Sequence, residues 1–277
     1  VGTALAPSFA IAVGFRLLAG VGGGMIPPTC IAIVGDTFPA RRRAMSVATI
    51  TMQPGLSGVI GTPLAAVLGD YAGWRSPFMV IGVAVALAAL ALFTLLPHRQ
   101  PQASGLHLRE RLGHVAALPL TWYMAGANLV VRIAFGVITT FFPAFLLLTY
   151  GLRTAQVALP VSMVALGATL GPLVAGRIGS SRRRMPVAAG TVLAATIPGL
   201  AIFLLEWGMW PSVLTASLFM LLIFPVTTIL MILCAEAGGP FRGTLTGLLS
   251  TSNWGGTALG AAIGGLLVAQ VGYSALS

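Results

Sequence analysis

Asp36-Thr-Phe-Pro39-Ala-Arg41-Arg42-Arg43 lies between two uncharged stretches, and about 200 residues on the chain reads Glu236-Ala-Gly-Gly-Pro240-Phe-Arg242 in the same setting. In each copy an acidic residue closes an apolar run, a proline follows, and arginine precedes the next run. The following runs carry spaced glycines and end on Gly73-Trp74-Arg75 in one copy and Gly272-Tyr273-Ser274 in the other. Both copies run in the same sense, which marks two halves related by an axis along the membrane normal. Transporters are the main class built this way.

Outward from these motifs, charges punctuate the chain into eight apolar runs. They are Leu17 to Gly35 (its helix starting near Ser8), Ala44 to Gly69, Ser76 to Pro97, Thr121 to Tyr150, Thr154 to Gly176, Met185 to Leu205, Trp207 to Ala235 and Gly243 to Ser277. Each can supply the ~20 residues that ~30 Å of hydrocarbon requires. Of the 277 residues 57% are hydrophobic and only 7% charged, against about 25% charged in soluble domains. With a mean hydropathy of +0.98, a soluble globular enzyme and a disordered chain are both excluded. The expected fold is all-α, a polytopic membrane protein of two pseudo-symmetric helical bundles. Residues 1–97 form a partial N-terminal bundle, 98–118 a cytoplasmic linker and natural hinge, and 119–277 a C-terminal bundle.

All 15 basic residues are arginine. Alternate gaps hold Arg41, Arg42, Arg43, Arg99, Arg109, Arg111, Arg177, Arg182, Arg183, Arg184 and Arg242, whereas the intervening gaps hold only Arg75 and Arg153. That asymmetry sets the first group on the cytoplasmic side. Trp74, Trp122, Trp207 and Trp210 fall near span ends, as an interfacial belt requires. The net charge of +10 is scattered through these gaps, so no nucleic-acid surface is expected. Cys30 and Cys234 sit inside apolar runs without CxxC spacing or a nearby histidine, so neither a metal nor a disulfide is indicated, and no cofactor is expected.

Four motifs in order resemble the major facilitator superfamily. Arg16-Leu-Leu-Ala-Gly20-Val-Gly22-Gly23-Gly24 resembles the RxxxGxG of that family's fourth helix, and Asp36 to Arg43 its following loop. Gly61-Thr-Pro63-Leu, then Gly69-Asp70-Tyr-Ala-Gly73-Trp74-Arg75-Ser-Pro-Phe78, resembles helix five and its outer turn. The resemblance is nearest to the drug:proton antiporter branch of sugar and multidrug exporters. It implies a fragment running from the end of helix three to the start of helix twelve. It further implies secondary transport, protons as a partner and a role for Arg16 in proton relay. A multi-pass place in the cell inner (plasma) membrane is expected, with lipid around a monomer. Two positions depart from the family pattern: Ser180 stands where GxxxDRxGR has aspartate, and Gly55 to Pro63 departs from GxxxGPxxGG.

Chemistry narrows the candidate site. Of the charged groups only Arg16 and Arg132 lie deep within spans, and an ionised group there costs several kcal/mol unless it faces water or a partner. Asn128 lies one turn before Arg132 on the same helix face. Gln53 in one half, and Asn253 with Trp254 in the other, mark the two helices expected to face a central cavity. Arg132, Asn128, Gln53, Asn253 and Trp254 are therefore the substrate-binding candidates, for a small organic molecule that is exported or, alternatively, an anionic metabolite taken up. Asp36, Arg41, Glu236 and Arg242 are expected to form ion pairs that break and remake as the halves rock. The five acidic residues all lie at span ends or in loops, and without a membrane-depth acid–base pair no enzyme is indicated. A receptor or scaffold would keep the helices and dispense with the repeat and the buried arginines.

Overall fold

A computed structural model describes residues 1–95, 107–204, 208–237 and 239–276. His98, Arg99, Glu206 and Trp207 lie outside the described residues. A first turn, α1 (Gly2–Leu5), leads into α2 (Phe9–Thr37), α3 (Ala40–Thr51), α4 (Gln53–Leu56), α5 (Thr62–Ala72) and α6 (Ser76–Leu95). Within the linker lies α7 (Leu108–Ala116), and after it come α8 (Pro119–Tyr150), α9 (Thr154–Ile178), α10 (Arg184–Leu204), α11 (Met209–Ala237) and α12 (Arg242–Val271). No strand occurs among the described residues. The protein is an all-α, polytopic membrane protein.

Seven of the described helices are long and apolar enough to cross a membrane. The remaining expected span, Ala44 to Gly69, falls within Ala40 to Ala72, which is helical almost throughout but interrupted. Pro54 and Pro63 offer no N–H, and each falls at the start of a new helical segment, where the missing donor costs least. The run breaks at Met52 and widens into a π turn over Ser57–Gly61, immediately before Pro63. Prolines elsewhere are absorbed without a break: Pro143, Pro160, Pro172, Pro198 and Pro225 all lie inside continuous helices.

The sequence repeat has a structural counterpart. Helices α2 and α11 are each 29 residues long, and their first residues, Phe9 and Met209, are 200 apart. The segments that follow them both end at a glycine of positive φ, Gly73 at 80° and Gly272 at 97°. A side chain with Cβ would be strained at either position, which is why both copies carry glycine there.

Small residues set how the helices meet, because packing rather than water exclusion drives association in lipid. Along α12, a Cβ at Gly256 would stand 2.7 Å from Arg132 Cβ, and one at Gly260 would strike the Ile133 carbonyl of α8. Across the two halves, a Cβ at Gly58 would stand 2.6 Å from Ala165 Cβ, and one at Gly176 2.6 Å from Ala48 Cβ. Gly20, Gly24 and Gly61 behave otherwise: a Cβ there meets nothing within 4 Å among the described residues, so they serve no close helix contact with them.

The two larger of three buried clusters among the described residues hold this arrangement. One is aromatic and confined to the second half, with Phe142, Phe145, Phe203, Phe219 and Phe224 buried together. The other bridges the halves at the arginine-rich end, where Ile31, Val34, Ala44 and Val47 pack against Met231, Ile232, Ala235 and Leu249. Helix α6 buries no residue and lies on the outside, as its nearly wholly apolar sequence leads one to expect. Part of the polar linker is itself helical. In α7 the Glu110 carboxylate accepts the His107 backbone N–H at 3.0 Å, and His114 stacks on Phe241 with ring centroids 5.2 Å apart.

Candidate functional site

A cavity of about 840 Å³ lies between the halves. Helix α2 contributes Arg16 and the bare face of Gly20, Gly23 and Gly24; those glycines open space instead of closing it. The break at Met52 turns Gln53 and Ser57 toward the same space. Opposite them stand Arg132 and Phe135 of α8, Thr227 of α11, and Ser250, Asn253, Trp254 and Thr257 of α12. Ile31 and Met231 line the cavity and also belong to the bridging core, so the cavity is floored at the arginine-rich end.

Arg132 is held by one hydrogen bond and two rings. Its Nε donates to Asn253 Oδ1 at 2.9 Å, and its guanidinium carbon lies 5.1 Å from the Phe135 ring centroid and 5.2 Å from that of Phe224. Cation–π attraction is strongest where water is excluded, so the two rings keep the charge at this depth. No other protein acceptor meets Arg132 among the described residues, which leaves its two outer nitrogens open to the cavity. Arg16 sits similarly, its guanidinium carbon 4.6 Å from the Phe78 ring centroid.

Asn128 does not line this cavity. It is 0% exposed, and its Nδ2 lies 3.2 Å from the Leu249 carbonyl, 2.7 Å from Ser252 Oγ and 2.6 Å from Asn253 Oδ1. The donor order explains its role. Arg132 can only donate, so the Asn253 atom facing it must be oxygen, and the Asn128 atom facing that oxygen must be nitrogen. Asn128 thus pins Asn253 from behind, and Asn253 orients Arg132. The Asn128 Oδ1 is left buried with no partner. Helix-face reasoning placed Asn128 beside Arg132; it could not foresee that α12, drawn close by Gly256 and Gly260, covers it.

The wall is largely apolar, and the charged groups on it are both cationic donors, Arg16 and Arg132. Besides the arginines, Asn253 Nδ2 has no protein partner among the described residues, and the buried Ser250 Oγ is unpaired as well. Neither Asp nor Glu is among the described lining residues. The field in such a cleft is positive and favours negative charge.

The charged groups expected at the helix ends pair differently from their order in sequence. Arg242 Nη1 donates to Asp36 Oδ1 at 2.6 Å and to the Gly35 carbonyl at 3.0 Å, so this ion pair joins the two halves. Glu236 instead pairs at 2.6 Å with Arg184, a residue of its own half that sequence reasoning missed. Arg41 is exposed and joins neither pair. Arg184, the first residue of α10, reaches the Glu236 carboxylate near the end of α11.

Comparison with known proteins gives two findings. A sequence profile of the Major Facilitator Superfamily matches residues 1–252. The MFS-type transporter ungB of Aspergillus violaceofuscus is 25% identical over 122 residues, a match covering 44% of this chain and 22% of that relative's length.

Proposed function

The chain belongs to the major facilitator superfamily, and from that premise we propose that it serves a secondary transporter working by alternating access. The substrate is a small organic molecule held in the cavity between the halves, and the protein is not an enzyme. One observation carries the reading: the 840 Å³ cavity is walled by both halves and floored at the arginine-rich end by a core and an ion pair that also join both halves. Rocking one half against the other would open that floor and close the opposite mouth. By the positive-inside bias the floored end is cytoplasmic, so the conformation described opens away from the cytoplasm.

The branch that the motifs resemble favours export driven by inward protons, with Arg16 as the relay residue. A second reading, movement of an organic anion, has a specific observation behind it: the described wall offers two arginines and Asn253, and no carboxylate.

Ser57→Cys, in a background with Cys30 and Cys234 replaced, tests alternation without knowledge of the substrate. A membrane-impermeant maleimide is expected to reach it from either face of a sealed vesicle. Joining Asp36→Cys to Arg242→Cys with a bifunctional thiol reagent is expected to block access from the arginine-rich face alone. Access from one face only, whether or not the link is made, would rule alternating access out.

A further inference from the structure

Phe135 lines two cavities. One is the large space that Arg132 lines; the other, about 160 Å³, also shares Pro54 with it and lies between the halves. Gly58, Ile138, Phe142, Val164, Ala165 and Met220 surround this smaller space. Its one polar side chain, Thr139, already spends its hydroxyl on the Phe135 carbonyl at 2.8 Å. A charged group entering there would lose its hydration and gain no partner. An apolar group would fit, since a cavity of about 150 Å³ holds one benzene ring.

Arg132 fixes the other end of the ligand. Its guanidinium lies 5.1 Å from the Phe135 ring, so the anion-seeking nitrogens and the apolar chamber meet at one side chain. Phe135 is itself held edge-on against Phe224, at 5.4 Å and 85°, and stands at the boundary that the two spaces share. Building on the organic-anion reading above, we infer that the substrate is an amphipathic organic anion. Arg132 and Asn253 hold its charged group, and the chamber beyond Phe135 takes an apolar group about the size of one aromatic ring. Pro54, Gly55 and Gly58 belong to the first half and the rest of the chamber to the second, so the apolar group touches both halves as it binds.

The protein in lipid nanodiscs is titrated with 3-phenylpropionate, propionate and 3-phenylpropylamine. The aryl carboxylate is expected to bind roughly tenfold tighter than propionate, the gain from burying one ring in a part-open chamber, and the amine not at all. Arg132→Gln is expected to abolish binding of both carboxylates. Thr139→Phe, at an exposed position on the chamber wall, is expected to fill the chamber and cancel the advantage of the aryl compound. Equal affinity for the two carboxylates, or an aryl advantage that survives Thr139→Phe, would show the chamber to be a packing void and overturn the inference. So would an amine that binds as well as the carboxylate, or no binding of either carboxylate. None of these outcomes bears on the Ser57→Cys accessibility. Failed alternation with aryl-selective binding intact would sink the transport reading and leave the ligand class standing.

Discussion

Arg132 donates its Nε–H to Asn253 Oδ1 at 2.9 Å, and no carboxylate meets this guanidinium among the described residues. A charge at membrane depth is tolerated only where water, rings or a partner receive it. Here two phenyl rings and one amide do so, and the outer nitrogens stay free for a ligand. The bond also ties α8 to α12, so the orientation of the cationic group depends on how those two helices pack.

That dependence can be measured at Asn128. Asn128→Ala removes the donors that pin Asn253, at a modest stability cost, since interhelical bonds in membranes average ~0.6 kcal/mol each. Ligand affinity is expected to fall further than the melting temperature suggests, because Arg132 loses its fixed direction. Melting and ligand titration on one preparation check this. Unchanged affinity would mean that Asn253 needs no support from behind.

Much of this was legible in the sequence for a physical reason. Uncharged runs of ~20 residues have few places to go but a bilayer, and a polar side chain inside one must turn toward a cavity or another helix. Arg16, Gln53, Arg132, Asn253 and Trp254 accordingly surround one space. Other features depend on distances between helices, which local pattern does not carry. Asn128 is covered because glycines let α12 approach, and Glu236 finds Arg184 through a loop 52 residues away in sequence. The apolar chamber beyond Phe135 has no polar residue to mark it apart from Thr139, and its wall comes from both halves.

The two ion pairs are expected to behave differently. Asp36–Arg242 joins the halves, whereas Glu236–Arg184 lies within one. The Asp36 side chain is 66% exposed, so its pair is worth at most about 1 kcal/mol, enough for roughly a fivefold shift between two conformations. Asp36→Asn should raise Ser57→Cys labelling from the arginine-rich face by about that factor, while Glu236→Gln should leave the ratio between faces unchanged. Equal effects from both substitutions would mean that neither pair acts as a latch.

Glycine substitutions separate helix seams from open faces. Gly260→Val drives a side chain into the Ile133 carbonyl, and overpacking of this kind costs about 1–3 kcal/mol or more. Gly247 has no atom within 4 Å of an added Cβ among the described residues, so Gly247→Ala should be neutral or gain about 0.5–1 kcal/mol through helix propensity. Thermal unfolding in detergent ranks the two. A tolerated Gly260→Val would mean that α8 and α12 do not pack at this distance.

Arg132 itself gives the sharpest separation between a ligand-binding and a structural arginine. If it were half of a buried ion pair, truncation would strand a carboxylate and cost about 3–5 kcal/mol. No such carboxylate stands beside it among the described residues, and its partners Asn253, Phe135 and Phe224 are neutral. Arg132→Ala is therefore expected to abolish transport per folded molecule while shifting the melting temperature only slightly. Arg132→Lys keeps the charge and loses the planar fork, along with the Nε donor that Asn253 now accepts. Weak rescue by lysine would mean that charge alone draws the ligand in; none would mean that a carboxylate or phosphate is gripped by two parallel hydrogen bonds. Low yield with normal transport per surviving molecule would assign Arg132 to the scaffold and remove it from the site.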